Sequence, residues 1–114
     1  MDECIFCRII DRKIPAKIVF EDDRAVAIED LHPQAPTHLL VIPRQHLPSL
    51  KEATADDELL LGHLHLVAAE LARGRGLEAN GYRTVINSGV GAGQSVFHLH
   101  VHVLGGRPFH WPPG

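Results

Sequence analysis

The chain has 114 residues, of which 45% are hydrophobic and 22% charged, with a formal net charge of −3. That size fits one domain with its own core and leaves little room for a second, so residues 1–114 are read as a single domain. The mild acidity excludes a protein whose main business is coating nucleic acid, and no apolar run approaches the roughly 20 residues that cross a bilayer. The opening MDECIFCRII lacks the charged segment and apolar stretch of a secretion signal, so the expected location is the cytoplasm.

In chain order, Cys4 to Ile10 predicts one or two helical turns with Phe6, Ile9 and Ile10 as apolar contacts, closed by Pro15. KIVFED and AVAIED flank an Asp22-Asp23-Arg24 turn and predict a β-hairpin. LHPQAPT is a loop by its two prolines, and HLLVIP (38–43) is a short buried strand stopped by Pro43. Thr54 with Asp57 three positions later forms a capping box for the one long helix. Along it Leu60, Leu64, Val67 and Leu71 recur at helical spacing, and Gly74 and Gly76 end the pattern. RTVINS reads as a strand, GVGAGQS as a glycine-rich loop, HLHVHVL (98–104) as a second buried strand, and GGRPFHWPPG as a tail its prolines keep out of the sheet. The class is α+β: a five-stranded, mostly antiparallel sheet, a short N-terminal helix and one long helix. The strand near the C-terminus is expected to be the longest and central.

Nine histidines are a heavy load for this length. His63 and His65, two apart on the long helix, do not share a face; with His32 in its loop they are read as solvated surface. HLHVHVL demands more. On a strand, His98, His100 and His102 share one face, about 6.6 Å apart, while Leu99, Val101 and Val103 line the core face. Three buried structural histidines are a poor reading, because each has two ring nitrogens to satisfy. A metal cage fits the H-x-H spacing but finds no carboxylate nearby on that strand. Nucleophilic catalysis by an imidazole fits better, because the preceding loop supplies glycines whose N–H groups approach an anion, with Gln94 and Ser95 as side-chain donors. Phosphorus chemistry suits that pairing of imidazole and anion cradle.

HLHVHVL resembles the His-φ-His-φ-His-φ-φ signature (φ apolar) of the histidine triad superfamily of nucleotide hydrolases and transferases. The likeness runs through CRIIDRKIPAKIVFEDD, PQAPTHLLVIP, LLGHL, GYRTVIN and GQSVFHLHVHVLGGR, and the closing HWPPG is similar to the histidine triad nucleotide-binding (Hint) branch. The resemblance implies a purine nucleoside phosphoramidase in which His100 attacks the α-phosphorus, forming a nucleotidyl-histidine that water hydrolyses. The His98 carbonyl orients that nucleophile, His102 meets the phosphate or leaving group, and His38 matches a fourth active-site histidine. Gly93, Gln94 and Ser95 match the phosphate loop, Asp30 the ribose-binding carboxylate, and Asn87 a residue near sugar and phosphate. Phe6, Ile9, Ile28 and Leu31 would line a pocket for AMP or GMP, Ile28 being aliphatic where animal relatives are aromatic.

Cys4-Ile5-Phe6-Cys7 admits two readings: buried apolar cysteines, or half of a zinc site. In many bacterial members of the superfamily two histidines complete such a site, here His46 and His98, as a structural zinc centre. The resemblance also implies a homodimer with a continuous ten-stranded sheet, in which Trp111 of the tail crosses to the partner's site. Aromatic tails of this kind are enriched in interface cores. The alternatives are a dinucleoside polyphosphate hydrolase of a sister branch, a metal-dependent oxidase built on the ladder, and a nucleotide-sensing interaction protein without turnover. Neither a nucleic-acid nor a membrane partner is expected.

Overall fold

The computed structural model describes residues 3–114. Its elements run α1 (Ile5–Ile10), β1 (Ile18–Glu21), β2 (Ala25–Glu29), β3 (Thr37–Pro43), α2 (Glu58–Gly74), β4 (Tyr82–Val85) and β5 (Val101–Gly105). The five strands form one antiparallel sheet in the order β1-β2-β3-β5-β4. No helix among the described residues is long and apolar enough to cross a membrane.

Alternation along the strands sorts their side chains into two apolar layers. Ala25, Ala27, Leu39, Val41, Leu99, Val101 and Val103 face α2, which buries Leu64, Val67, Ala68 and Ala72 against them. On the opposite face Val26, Ile28, Leu40 and Ile42 pack under Phe6 and Ile9 of α1. α1 covers only part of this second face. His38 and His102 lie on the same side, since His38 pairs with Leu104 and Leu40 with His102.

The hairpin turn falls where the sequence predicts it, because Asp22 Oδ1 accepts from the Arg24 and Ala25 N–H groups at 2.8 and 2.7 Å. Thr54 forms its capping box with Asp57 on a 3₁₀ turn that leads into α2. Gly76, with φ +71°, follows the helix and ends it. Gly106, with φ +93°, turns the chain out of β5, and a Cβ there would stand 2.8 Å from the Pro36 ring.

Four expectations need correction. The longest strand is β3, at seven residues and at the centre of the sheet, and β5 lies beside it. β5 begins at Val101, so His98, in a bend, and His100 precede the ladder rather than lie within it. Leu61, not Leu60, packs on the α2 layer beside Leu71. His63 is not solvated surface: its Nε2 donates to Asp22 Oδ2 at 2.6 Å, which ties α2 to the β1–β2 turn.

Candidate active site and metal centre

Each imidazole of the cluster has partners that fix where its proton sits. His100 Nδ1–H donates to the His98 carbonyl at 2.8 Å, which leaves the His100 Nε2 lone pair free. His38 Nδ1 accepts the Gln34 backbone N–H at 3.0 Å, so its proton is on Nε2. That Nε2–H donates to His102 Nδ1 at 2.9 Å, leaving His102 with its own proton on Nε2. The His100 and His102 rings meet edge-on at 5.0 Å. Asp30 Oδ2 stands 3.4 Å from His38 Nε2, while its Oδ1 accepts the His32 N–H at 2.8 Å.

Burial sets the charge state. His38 is 6% exposed and His100 8% exposed, and desolvation lowers the pKa of both. For His102, burial and then the neighbouring His100 and His38 push the value down to about 4. The cluster is neutral near pH 7. Neutral imidazole with a fixed Nδ1–H is the form that attacks through Nε2.

His98 faces the other way. Its Nε2–H donates to the Pro43 carbonyl at 2.7 Å, so Nδ1 presents a lone pair to Cys4 Sγ at 3.4 Å and Cys7 Sγ at 3.5 Å. Cys7 Sγ also lies 3.3 Å from His46 Nδ1. The four ligand atoms fall within 4.8 Å of one another. A tetrahedral zinc with Zn–S near 2.3 Å and Zn–N near 2.0–2.1 Å separates neighbouring S and N ligands by about 3.5 Å, so the set fits. The carbonyl behind His98 is the outer hydrogen bond that orients ligating histidines. Burial, and then Cys4, push the Cys7 thiol up to about 11, and ionisation at neutral pH requires a cation at the sulfurs.

Asp30, His38 and His102 also bring potential ligand atoms within 4.8 Å. The Gln34 N–H makes this group a hydrogen-bonded chain rather than a cage, because it leaves the proton on His38 Nε2, the atom that faces the other two.

The predicted residues thus form one contiguous set from Asp30 through His38, His102, His100 and His98 to Cys4, Cys7 and His46. Phe6 joins it, 5.0 Å from the His100 ring, and Ile9 and Ile28 lie in the same apolar cluster as Phe6. Leu31 lies outside that cluster, 87% exposed next to Asp30. Asn87 is half-buried just past β4, and Gly93 (φ +94°) and exposed Ser95 flank Gln94 in the glycine-rich loop.

Gln94 corrects its expectation. Its Oε1 accepts the Gly89 N–H at 2.8 Å, and its Nε2 donates to the Pro48 and Val96 carbonyls at 2.8 and 3.1 Å. With its own N–H bonded to the Gly89 carbonyl at 3.1 Å, Gln94 braces the loop and offers no free donor to an anion.

The tail runs outside the sheet past Gly105, as its prolines predict. Arg83 of β4 donates to the His110 carbonyl at 3.1 Å, and the Arg83 and Arg107 guanidinium carbons lie 5.2 and 4.3 Å from the Phe109 ring centre. The segment through His110 is therefore fastened to its own sheet, while Trp111 stands 83% exposed. Two groups escaped sequence reasoning, the Gln34 N–H and the Pro43 carbonyl, because backbone partners leave no side-chain signature.

Fold and site together define a histidine triad protein. A family model described as scavenger mRNA decapping enzyme, C-terminal binding, matches residues 3–108, and the chain belongs to the histidine triad (HIT) family. An uncharacterised HIT-like protein of Synechocystis sp. is 55% identical over 113 residues, 99% of this chain and 98% of the relative. A HIT family hydrolase from Legionella pneumophila superposes with a TM-score of 0.97 at 47% identity, covering 98% of this chain and 100% of that one. A zinc-bound histidine triad family protein from Mycobacterium smegmatis gives 0.83 at 30% identity, over 99% of this chain and 81% of that one.

Proposed function

We propose that this chain hydrolyses the P–N bond of purine nucleoside 5′-phosphoramidates, such as adenosine 5′-phosphoramidate, to a nucleoside monophosphate and an amine. One observation carries the reading: the 2.8 Å bond from His100 Nδ1–H to the His98 carbonyl, which places the lone pair of a neutral imidazole on Nε2. His100 Nε2 attacks the α-phosphorus and the P–N bond breaks. The amine leaves with a proton, which His102 Nε2–H, on the ring beside His100, supplies. Water then forms a P–O bond as the P–Nε2 bond breaks, its proton returning to His102 Nε2, and the monophosphate is released.

Support for the substrate class comes from what surrounds the nucleophile. The glycine-rich loop, with Gly93 and the hydroxyl of Ser95, suits an anion, and Asn87, just past β4, adds a side-chain amide. Asp30 keeps lone pairs for two ribose hydroxyls beside His38. Phe6, Ile9 and Ile28 give an apolar bed for a purine. Cys4, Cys7, His46 and His98 would hold a structural zinc, which supplies a cross-link and no chemistry. The open edge of β4 would pair with a second copy to give a ten-stranded sheet, and Trp111 would then reach the partner's site.

The test is a substrate panel of adenosine and guanosine phosphoramidates beside dinucleoside polyphosphates, with mass spectrometry of quenched protein. The expected result is faster P–N cleavage and a nucleotidyl adduct on His100. His100→Asn should lose at least about 10⁴-fold in kcat and still bind AMP, as for removal of a nucleophile whose binding site survives. Faster cleavage of P–O–P linkages would assign the sister activity, and AMP binding with no turnover would make the protein a nucleotide sensor.

A further inference from the structure

We propose that the Cys4–Cys7 turn is a clamp on the nucleophile and that Phe6, carried between the two cysteines, is its positioning residue. The proposal rests on the reading of His100 as nucleophile. Phe6 is 6% exposed, and its ring makes T-shaped contacts with two imidazoles: His98 at 6.0 Å and 71°, and His100 at 5.0 Å and 87°. The two histidines it touches are the one that faces the cysteines and the one that attacks.

α1 has six residues, too few to hold a helix by itself. Its placement depends on Phe6 and Ile9 in the apolar layer and on the sulfur–imidazole cluster at its start. Cys4 is the N-cap, its Sγ accepting the Cys7 N–H at 3.4 Å, so fixing both sulfurs fixes the first turn and with it Phe6. The same cluster fixes the His98 ring from Nδ1 while Pro43 holds Nε2, and the His98 carbonyl in turn holds His100 Nδ1–H. Two independent links therefore run from the cluster to the nucleophile. One goes through the His98 backbone and sets the His100 tautomer. The other goes through the Phe6 ring and sets the His100 ring plane.

The experiment compares zinc-loaded protein, protein stripped with a chelator, and zinc-loaded Phe6→Leu, which keeps apolar volume and removes the flat ring. Long-range ¹H–¹⁵N NMR of the imidazoles reads the His100 tautomer and line width directly, and metal content and AMP affinity are measured on the same samples. The loaded protein should show His100 as a single Nδ1–H tautomer. Stripping should mix the two tautomers and lower kcat by about tenfold or more, the usual scale for loss of a group that orients a functional residue, with AMP affinity changed less than kcat. Phe6→Leu should keep its zinc, shift or broaden the His100 signals, and lower kcat.

A stripped, folded protein that keeps one sharp His100 tautomer overturns the proposal. So does Phe6→Leu with wild-type His100 signals, or with its zinc lost at wild-type stability. Where stripping unfolds the chain, the zinc-loaded Phe6→Leu spectrum decides alone. His100 signals that respond to zinc in a protein that cleaves no phosphoramidate would leave the clamp standing and remove the hydrolase reading. Turnover with unresponsive signals would do the reverse.

Discussion

At the scale of single residues, His38, His100 and His102 act as neutral groups whose hydrogen positions are fixed by their partners. This has a stability cost in acid. His102 is held to about 4 by burial, against an ordinary value of 6.5 for the unfolded chain. Between these values the unfolded state binds the proton and the native state does not, so stability rises with pH across the window and is complete above it. Urea titrations from pH 4 to 8 should therefore show a plateau above about 6.5 and a fall below it, with a contribution from His102 on the order of a few kcal/mol. His102→Asn should flatten that fall by about one proton. An acid limb with unchanged slope in the variant would contradict the assignment.

At the scale of elements, legibility followed the side chains. The hairpin, the capping box and the helix layer were readable because each leaves a local signature: an Asx turn at Asp22, a Thr54–Asp57 pair, and apolar residues at helical spacing. The alternation of HLHVHVL was readable, and it places Leu99, Val101 and Val103 in the core opposite the imidazoles. The start of β5 was not readable, because the alternation continues through His98 while the ladder does not. Nor was His63, whose Asp22 partner is 41 residues away.

Gln94 was misjudged for the same reason, since its role is set by where Pro48 and Val96 aim their carbonyls. Gln94→Leu should leave the Gly89 N–H and those carbonyls without partners in a buried position. A cost of about 1–3 kcal/mol follows, together with a raised KM for phosphoramidates. Thermal melts and steady-state kinetics check both, and a variant with wild-type melting would mean the loop needs no brace.

At the scale of the molecule, the sheet ends on one side in β4, whose outer edge no described strand covers. The proposed dimer closes that edge. Light scattering at micromolar concentration should give twice the chain mass. Deleting residues 110–114 should alter leaving-group selectivity and lower kcat/KM without unfolding the domain, because Trp111 lies outside both apolar clusters. A fully active monomer, or a truncated chain with unchanged kinetics, would take the partner out of the mechanism.

The Gln34 N–H that points into His38 has one more consequence. It makes the row of imidazoles a wire with a dead end. A proton that left His38 Nε2 for His102 could not be replaced at Nδ1, because a backbone N–H cannot take one up and relay it. In the proposed reaction the proton that His102 gives the leaving group would therefore be recovered on the side of the row that Asp30 shares with the substrate, and not through the fold behind His38.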